Sequence, residues 1–249
     1  MPLHETEAIV LRSYRLGEAD KIVSLFTREF GRLRGVAGGA RRRMSRFGGS
    51  LEPLTYLRVW FYERENRDLV RLNSTEVVES FMDIQREYSG QVAAQYVAEV
   101  CDQFMPERES NDRVFRLIVH VLRGLKQPDH LDAILCYFSA WMLRLGGVLS
   151  DLDQCSRCGQ KLGVGASYYG NSWEGLCCTS CREGQGRQLA AASRELCRST
   201  QGQTLERWRQ SSPEMETSRS LRQFLDEQIE RHIERKLVTK QLLDEAQCL

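Results

Sequence analysis

Two Cys-x2-Cys pairs, Cys155/Cys158 and Cys178/Cys181, stand nineteen residues apart in this chain. This spacing is typical of a tetrahedral four-thiolate zinc site, and it requires the intervening segment to fold back so that both pairs meet. Four thiolates leave no open coordination position, so we predict one structural Zn²⁺ and no catalytic role for it. Two alternatives stay open: a dithiol redox pair, which usually accompanies a βαβ unit that is not visible here, and a metal-free remnant.

The other cysteines are expected to be structural. Nine cysteines in a chain without a signal-peptide pattern indicate metal binding more than disulfides. Cys177 adjoins the second pair, but the x2 spacing to Cys181 favours Cys178 as the ligand. The remaining ones lie in helical patterns and are expected to be buried thiols: Cys101, Cys136, Cys197 and Cys248.

The first eighty residues have the pattern of a β-domain. Five short β-rich runs, with a longer break after the third, favour a small Greek-key barrel such as an OB-fold, and any other five-stranded sheet is the alternative. The predicted strands are Glu7–Tyr14, Lys21–Thr27, Arg32–Ala37, Leu54–Glu63 and Leu69–Glu79, with "RENRD" as the last turn.

From Phe81 the hydrophobic period becomes helical. Helices are predicted over Tyr88–Met105, Asn111–Lys126, His130–Gly147, Glu195–Arg209 and Ser218–Glu245. We therefore predict an α+β protein: a barrel domain (1–80), a helical domain in two parts (81–150 and 188–249), and a zinc-binding insertion (151–187) between them.

Positive charge is concentrated in one segment. The chain has a net charge of only +1, yet Arg28 to Arg46 holds seven arginines and one glutamate. The glycine-flanked loop "GGARRRMSRFGGS" (Gly38–Ser50), which overlaps this segment, suggests a phosphate-binding surface, on which Phe47 and Tyr56 are expected to stack on bases. The alternatives are a solvated loop and a surface that docks an acidic protein.

A resemblance unites these features. The string "GEADKIVSLFTREFGRLRGVAGGARRRMSRFGGSLEPLTYL" (Gly17–Leu57), together with "WMLRLGGVLSDLDQCSRCG" (Trp141–Gly159) and "GLCCTSC" (Gly175–Cys181), resembles the RecO family of bacterial recombination mediators. The order of the segments matches over nearly the whole chain, although "LSDLDQC" lacks the proline that this family often has before the first cysteine pair. The C-terminal segment resembles the family only in its general helical character.

The resemblance implies a function in DNA repair and homologous recombination. Members bind single- and double-stranded DNA, anneal complementary strands, join RecR, engage the acidic, apolar C-terminal tail of SSB, and help to load RecA. On this chain it implies a metal site at Cys155, Cys158, Cys178 and Cys181. The DNA-binding positions that it implies, including the basic loop, are Lys21, Arg32, Arg34, Arg41, Arg42, Arg43 and Arg46. Phe47 is added to this set as the ring expected to stack on bases.

The tail of SSB needs apolar groups beside cations. The helix Asn111–Lys126 offers Phe115, Leu122, Arg116 and Arg123, and the alternative is that these are only core and solvated face.

Enzymatic motifs are missing from the sequence. There is no Walker loop, no carboxylate cluster at metal spacing, and the four histidines are scattered; His120, in an apolar helical run, is expected to be packed. No apolar run approaches the ~20 residues of a membrane span, and acids occupy the start where a signal peptide is basic. We therefore expect a non-enzymatic, soluble, cytosolic protein that joins the nucleoid during repair.

Overall fold

The computed structural model describes residues 2–63, 68–127, 131–170, 173–210 and 214–246. The predicted turn "RENRD", His130 and Cys248 lie wholly or mostly outside these residues. The chain divides into two compact units, Met1–Gln127 with Val238–Leu249, and Pro128–Leu237. The first is called the barrel unit below and the second the metal unit.

A five-stranded closed barrel forms the first part of the barrel unit, in the order β1-β2-β3-β5-β4. All neighbours are antiparallel except β3 and β5, and β4 closes the barrel against β1. This is the strand order of an OB-fold, so the predicted fold class is confirmed. The strands are β1 (Leu3–Leu16), β2 (Asp20–Thr27), β3 (Gly31–Ala37), β4 (Tyr56–Tyr62) and β5 (Leu69–Glu79).

The barrel interior is filled by alternate residues of the strands. Val23 and Leu25 of β2 face Leu33 of β3, and Val59 and Phe61 of β4 complete the same core. The period of two in the sequence therefore corresponds to the inward face, as the pleat requires.

Seven α-helices are present among the described residues. They are α1 (Tyr88–Phe104), α2 (Asp112–Leu125), α3 (Leu131–Leu145), α4 (Ala191–Ser199), α5 (Leu205–Gln210), α6 (Met215–His232) and α7 (Val238–Ala246). The first three lie within one or two residues of their predicted limits. The side chain of Asn111 caps α2 by accepting the N–H of Val114 at 3.1 Å.

The C-terminal helices differ from the prediction. Glu195–Arg209 is interrupted by the 3₁₀ turn Thr200–Gly202, and Ser218–Glu245 is two helices, α6 and α7. Glu234, between them, has a left-handed φ of +54°, which ends α6 without a glycine. The helical pattern that predicted one long helix does not report this break.

The limits of the two compact units differ from those of the predicted domain segments. In the barrel unit α1 packs on β1, β2, α2 and α7, so these helices belong with the barrel. In the metal unit α6 packs on α3 and α4, and the buried Arg222 of α6 donates to Asp132 of α3 at 2.7 Å. Throughout the described part of the chain, no helix is long and apolar enough to span a membrane.

Candidate metal centre and nucleic-acid interface

The four cysteines of the two Cys-x2-Cys pairs converge in the metal unit. The Sγ atoms of Cys155, Cys158, Cys178 and Cys181 all lie within 4.8 Å of one another, and those of Cys158 and Cys178 are 3.9 Å apart. A tetrahedral ion with metal–sulfur bonds of about 2.3 Å would separate its sulfurs by about 3.8 Å. The cluster therefore has the dimensions of a four-thiolate metal site.

Backbone turns build the first half of this cluster. Around Cys155 the chain reverses, because its N–H donates to the carbonyl of Gln160 at 2.9 Å and its carbonyl accepts from Gly159 at 2.9 Å. Gly159 has a φ of +71°, a conformation that glycine adopts without strain. This turn exposes Cys158 and buries Cys155.

The second half begins at Cys178, which precedes the 3₁₀ turn Thr179–Cys181. The N–H of Cys178 donates to the Sγ of Cys155 at 3.4 Å, which links the two halves. Two short strands, β6 (Ser167–Tyr169) and β7 (Arg187–Leu189), flank this half. Backbone hydrogen bonds thus form the two cysteine turns and bring them together.

The cluster is electrostatically suited to a cation. Although burial opposes it, N–H groups of Cys178, Cys158 and Arg157 lower the pKa of Cys155 to about 6. Hydrogen bonds to Cys158 and Cys178 raise the pKa of Cys181 to about 12. Thiolates crowded in this way repel one another, and a bound cation removes that repulsion.

Cys177 lies outside this quartet. It is buried, and its backbone N–H and carbonyl both pair with Tyr168, at 2.8 and 2.9 Å. Its Sγ is 3.6 Å from the Oγ of Ser156. The expected burial of the other described cysteines is observed: Cys101, Cys136 and Cys197 are buried, and burial raises the pKa of Cys197 to about 11.

A buried arginine, which the sequence analysis did not single out, supports the first cysteine turn. Arg194 of α4 is 1% exposed and donates to the carbonyls of Leu152, Gly163 and Gly165 at 3.0, 2.7 and 2.8 Å. These carbonyls bracket Cys155 and Cys158 in sequence. A lone arginine in a helix gives no sequence signal for such a role.

The basic loop, Gly38–Ser50, is a series of turns that closes over the barrel. Its apolar side chains Ala40 and Phe47, with Leu51 just beyond it, belong to the barrel core. The Oγ of Ser50 donates to the carbonyl of Phe47 at 2.6 Å. Gly39 and Gly48 have φ values of +72° and +50°, which explains the glycines at both sides of the loop.

The two rings predicted to stack on bases are not available for stacking. Phe47 is 3% exposed, and Tyr56 is buried against Phe115, with ring centroids 5.8 Å apart. This part of the prediction is wrong because a phenylalanine in a polar loop can serve as the loop's anchor in the core. Burial, and a hydrogen bond to Glu7, raise the pKa of Tyr56 to about 12, as expected of an enclosed phenol.

The loop arginines present their charge outward. The guanidinium of Arg41 donates to the carbonyls of Gly17 and Glu18, at 3.0 and 2.9 Å, which ties the loop to the β1–β2 turn. Among the residues that the structure describes, no carboxylate lies within ion-pair distance of Arg42, Arg43 or Arg46, and all three are exposed. Arg46 lies over the ring of Phe47, 5.1 Å from its centroid.

The other basic positions are paired with acids inside the barrel unit. Arg34 contacts Glu107 at 3.3 Å, and Arg32 contacts the same carboxylate at 3.4 Å. Lys21 contacts Glu52 at 2.9 Å. The segment of net charge +6 in the sequence is therefore largely neutralised outside the loop.

One further cation without an acidic partner in the described residues lies on β1. Arg15, directly opposite Lys21 in the β1–β2 register, is exposed and has no acidic partner in the described part of the chain. The signal that could have found it is its position two residues before the turn glycine Gly17.

The predicted SSB-tail residues divide into core and surface. Phe115 and Leu122 are buried, whereas Arg116 and Arg123 are exposed and contact Asp112 and Glu79, at 3.0 and 2.9 Å. An apolar pocket beside the cations does not form from these four residues, because the helix turns its apolar face to the barrel. His120, expected to be packed, is exposed.

Comparison with known proteins agrees with this architecture. The family model "Recombination protein O N terminal" matches residues 1–81, and "Recombination protein O C terminal" matches 85–241. Proteins called DNA repair protein RecO are similar over nearly the full length. That of Koribacter versatilis (strain Ellin345) is 41% identical over 97% of this chain and 98% of its own length. That of Anaeromyxobacter sp. (strain K) is 32% identical over 95% and 94%. With both domain models matched and these relatives covered almost end to end, the chain belongs to the RecO family.

Proposed function

We propose that this protein is a DNA repair and recombination mediator that holds DNA on the basic loop. The observation that carries the proposal is the contrast within one segment: Arg32 and Arg34 are paired with acids, whereas Arg42, Arg43 and Arg46 are exposed without an acidic partner in the described chain. Exposed arginines on an ordered loop are suited to phosphate oxygens. The names of the relatives support the same function.

The proposed contacts are to phosphate, so binding has little sequence preference and strong salt dependence. Arg42, Arg43 and Arg46 supply the unpaired charge, and Arg41 fixes the loop's orientation while its positive charge adds to the field. Lys21, Arg32 and Arg34 contribute less, because their acidic partners would have to be displaced. A surface of this kind reduces the repulsion between two polyanionic strands and leaves base edges available for pairing, as annealing requires.

The mediator acts with partners and without a catalytic group. We propose that it anneals complementary strands, binds single- and double-stranded DNA, joins RecR, contacts the C-terminal tail of SSB and promotes RecA loading in the cytoplasm, at the nucleoid. Since Phe115 and Leu122 are buried, the tail contact is proposed without assignment to α2. No acid, base or nucleophile is needed for these steps.

We further propose that the thiolate cluster holds one structural Zn²⁺. Cys155, Cys158, Cys178 and Cys181 would be its four ligands, which leaves no position for a substrate. The ion would fix the two cysteine turns together, while Arg194 fixes the base of the first turn.

The decisive experiment is fluorescence anisotropy of a labelled single strand at several salt concentrations. It compares the wild type, Arg42→Ala/Arg43→Ala/Arg46→Ala, and a control with equal charge loss, Arg86→Ala/Arg207→Ala/Arg235→Ala, whose arginines are exposed on other elements. Each phosphate contact on single strands contributes about 0.7 to the slope of log K against log salt, so the loop variant is expected to lose about 2.

Either of two results would count against the proposal. If the loop variant and the charge control lose equally, the loop has no special role. If no variant and no wild type binds DNA, the loop is a protein-docking surface, which is the scaffold alternative.

A further inference from the structure

A second positively charged surface runs along α2. Every residue of the set Arg113, Arg116, His120 and Arg123 is exposed, and their spacing places them along one side of the helix. We call this set the α2 stripe. From Arg113 to Lys126 the sequence has no aspartate or glutamate. An ordinary solvated helix face mixes both signs of charge, so this face is unusual.

The acids at the ends of α2 neutralise the stripe only in part, because Arg116 and Arg123 have acidic partners whereas Arg113 has none among the described residues. Asp112 is shared between Arg116, at 3.0 Å, and Arg28, at 2.6 Å. Glu79 is shared between Arg123, at 2.9 Å, and Lys126, at 2.6 Å. Arg28 also contacts Glu7, at 2.8 Å, so Arg28 and Arg116 are balanced by two acids, and Arg113 carries the unpaired charge at this end. At the other end two cations share the single carboxylate of Glu79.

Helix stability does not account for the first half of the stripe. The N-terminus of a helix carries partial positive charge, so arginine is disfavoured in the first turns and favoured in the last. Arg123 lies near the C-terminus, where it gains from the dipole. Arg113 lies in the first turn and has no acidic partner in the described residues. A ligand that supplies negative charge is a physical reason for its presence.

The stripe lies on a helix that is anchored on the barrel and whose apolar side chains are buried. Phe115 anchors α2 on the barrel, with its ring 6.4 Å from that of Phe26 and 5.8 Å from that of Tyr56. The apolar side of α2, including Leu122, is buried by the same packing. A ligand on the stripe thus meets charge in a line and no apolar cavity, which suits a phosphate backbone better than an acidic, apolar peptide.

We propose that the α2 stripe binds the phosphate backbone of a second nucleic-acid strand while the basic loop holds the first. The inference rests on the proposed annealing function and adds to it a surface for the other strand. At 1.5 Å per residue, Arg113 to Arg123 spans about 15 Å, which is roughly four phosphates of one strand at a 3.4 Å rise. Two strands held on one unit replace a slow bimolecular encounter with a local one.

The test counts strands on the full-length protein. Native mass spectrometry at low salt is performed with an oligothymidylate of about 12 nucleotides, which fits the site size of one OB-fold and cannot pair with itself. The proteins are wild type, Arg113→Gln/Arg116→Gln/Arg123→Gln, the loop triple-alanine variant, and the charge control Arg86→Gln/Arg207→Gln/Arg235→Gln. Annealing of labelled complementary strands is measured in parallel.

We expect two oligonucleotides on the wild type and on the control, and one on the stripe variant. The stripe variant should also anneal at least about tenfold more slowly while its anisotropy with a single strand changes less than twofold. Thermal melting within about 2 °C of wild type verifies folding, since exposed ion pairs contribute only about 0–1 kcal/mol.

Several results would overturn the inference. One is a stripe variant that still binds two strands, and another is a charge control that loses the second strand equally. A third is that the stripe binds a polyglutamate peptide while strand stoichiometry is unchanged, which would make it a protein-docking surface. If the wild type binds only one strand and the loop variant loses it, the proposed role of the α2 stripe is refuted and the proposed function stands. If the wild type binds no strand, both proposals are refuted.

Discussion

The buried carboxylate of Glu99 accepts the backbone N–H of Thr239 at 2.9 Å, across 140 residues of sequence. It also accepts the N–H of Val238 at 3.0 Å. These are the first two residues of α7, whose N–H groups have no partner within the helix. Glu99, in α1, thus caps a helix far away in the chain and holds it in the barrel unit.

Replacing Glu99 should therefore release α7 before it affects the barrel. Glu99→Ala leaves the N–H groups of Val238 and Thr239 without their acceptor, and bonds to a charged group contribute about 2 kcal/mol. We expect hydrogen exchange of the α7 amides to accelerate roughly 30-fold, while exchange in β2 and β3 changes little. The matched control is Glu245→Ala, which removes an exposed carboxylate at the other end of the same helix. Equal acceleration in both variants would contradict the capping role.

Substitutions of Phe47 test directly whether its ring is part of the barrel core. Phe47→Ala should lower the free energy of unfolding by about 3–5 kcal/mol, as large-to-small changes in cores do. Phe47→Leu keeps most of the volume and should retain DNA affinity within twofold. A base-stacking ring would behave differently, because its loss costs about 1–3 kcal/mol of binding.

The control is Met44→Ala in the same loop, since Met44 is 93% exposed. Its stability should match the wild type within about 0.5 kcal/mol. A large loss of DNA affinity in Phe47→Leu with unchanged stability would restore the stacking role.

Much of the fold could be predicted from local patterns. Period-two alternation located β5 at its observed limits, and Asn111 signalled the start of α2 through its capping side chain. The cysteine spacing located the metal cluster, because two short turns need little beyond their own backbone hydrogen bonds. Such features depend on neighbours in sequence.

The remainder depends on partners far away in sequence. The neutralisation of Arg32 requires Glu107, 75 residues later and after α1, and nothing near Arg32 predicts that contact. The burial of Phe47 depends on the barrel mouth that it closes. The assignment of α7 to the barrel unit depends on Glu99. A pattern read along the chain cannot report these tertiary contacts.

Cys177 and Cys178 are adjacent but should respond differently to serine. Cys178→Ser removes a cluster sulfur and should reduce bound metal well below that of the wild type, with a lower melting temperature. Cys177→Ser should retain the metal, because Cys177 contributes backbone bonds to Tyr168 and lies outside the quartet. Metal content of purified protein by plasma mass spectrometry, with thermal melting, measures both. If Cys177→Ser lost the metal and Cys178→Ser kept it, Cys177 would be the ligand and Cys178 would not.

Arg194 should control how firmly the metal is held. Arg194→Met keeps an unbranched apolar stem but removes the donor to the carbonyls of Gly163 and Gly165 and one of the two donors to that of Leu152, which Arg198 also contacts at 3.2 Å. Groups that orient metal ligands typically change metal affinity 10- to 100-fold when removed. We expect metal transfer to a chelator at least about tenfold faster than in wild type. The control is Arg182→Met, which replaces an exposed arginine beside the cluster and should match the wild type. Equal rates of metal transfer in Arg194→Met and the wild type would show that the first cysteine turn is stable without Arg194.

Glu234 ends α6 in a conformation that favours glycine. The N–H of Arg235 donates to the carbonyl of Glu230 at 3.2 Å, and that of Glu234 donates to Arg231 at 3.3 Å, which is a Schellman ending with Glu234 in the left-handed position. A residue with a Cβ costs about 1 kcal/mol there. Glu234→Gly should therefore raise the free energy of unfolding of the metal unit by about 0.5–1 kcal/mol and its melting temperature by about 2 °C.

Glu234→Ala separates this conformational effect from the removal of a charge. Alanine also lacks the carboxylate but keeps the Cβ, so it should give no gain in melting temperature. If Glu234→Ala and Glu234→Gly gain equally, charge repulsion with Glu230 and not backbone strain explains the change. If only glycine gains, the left-handed residue between α6 and α7 is under strain in the native protein, as its φ of +54° predicts.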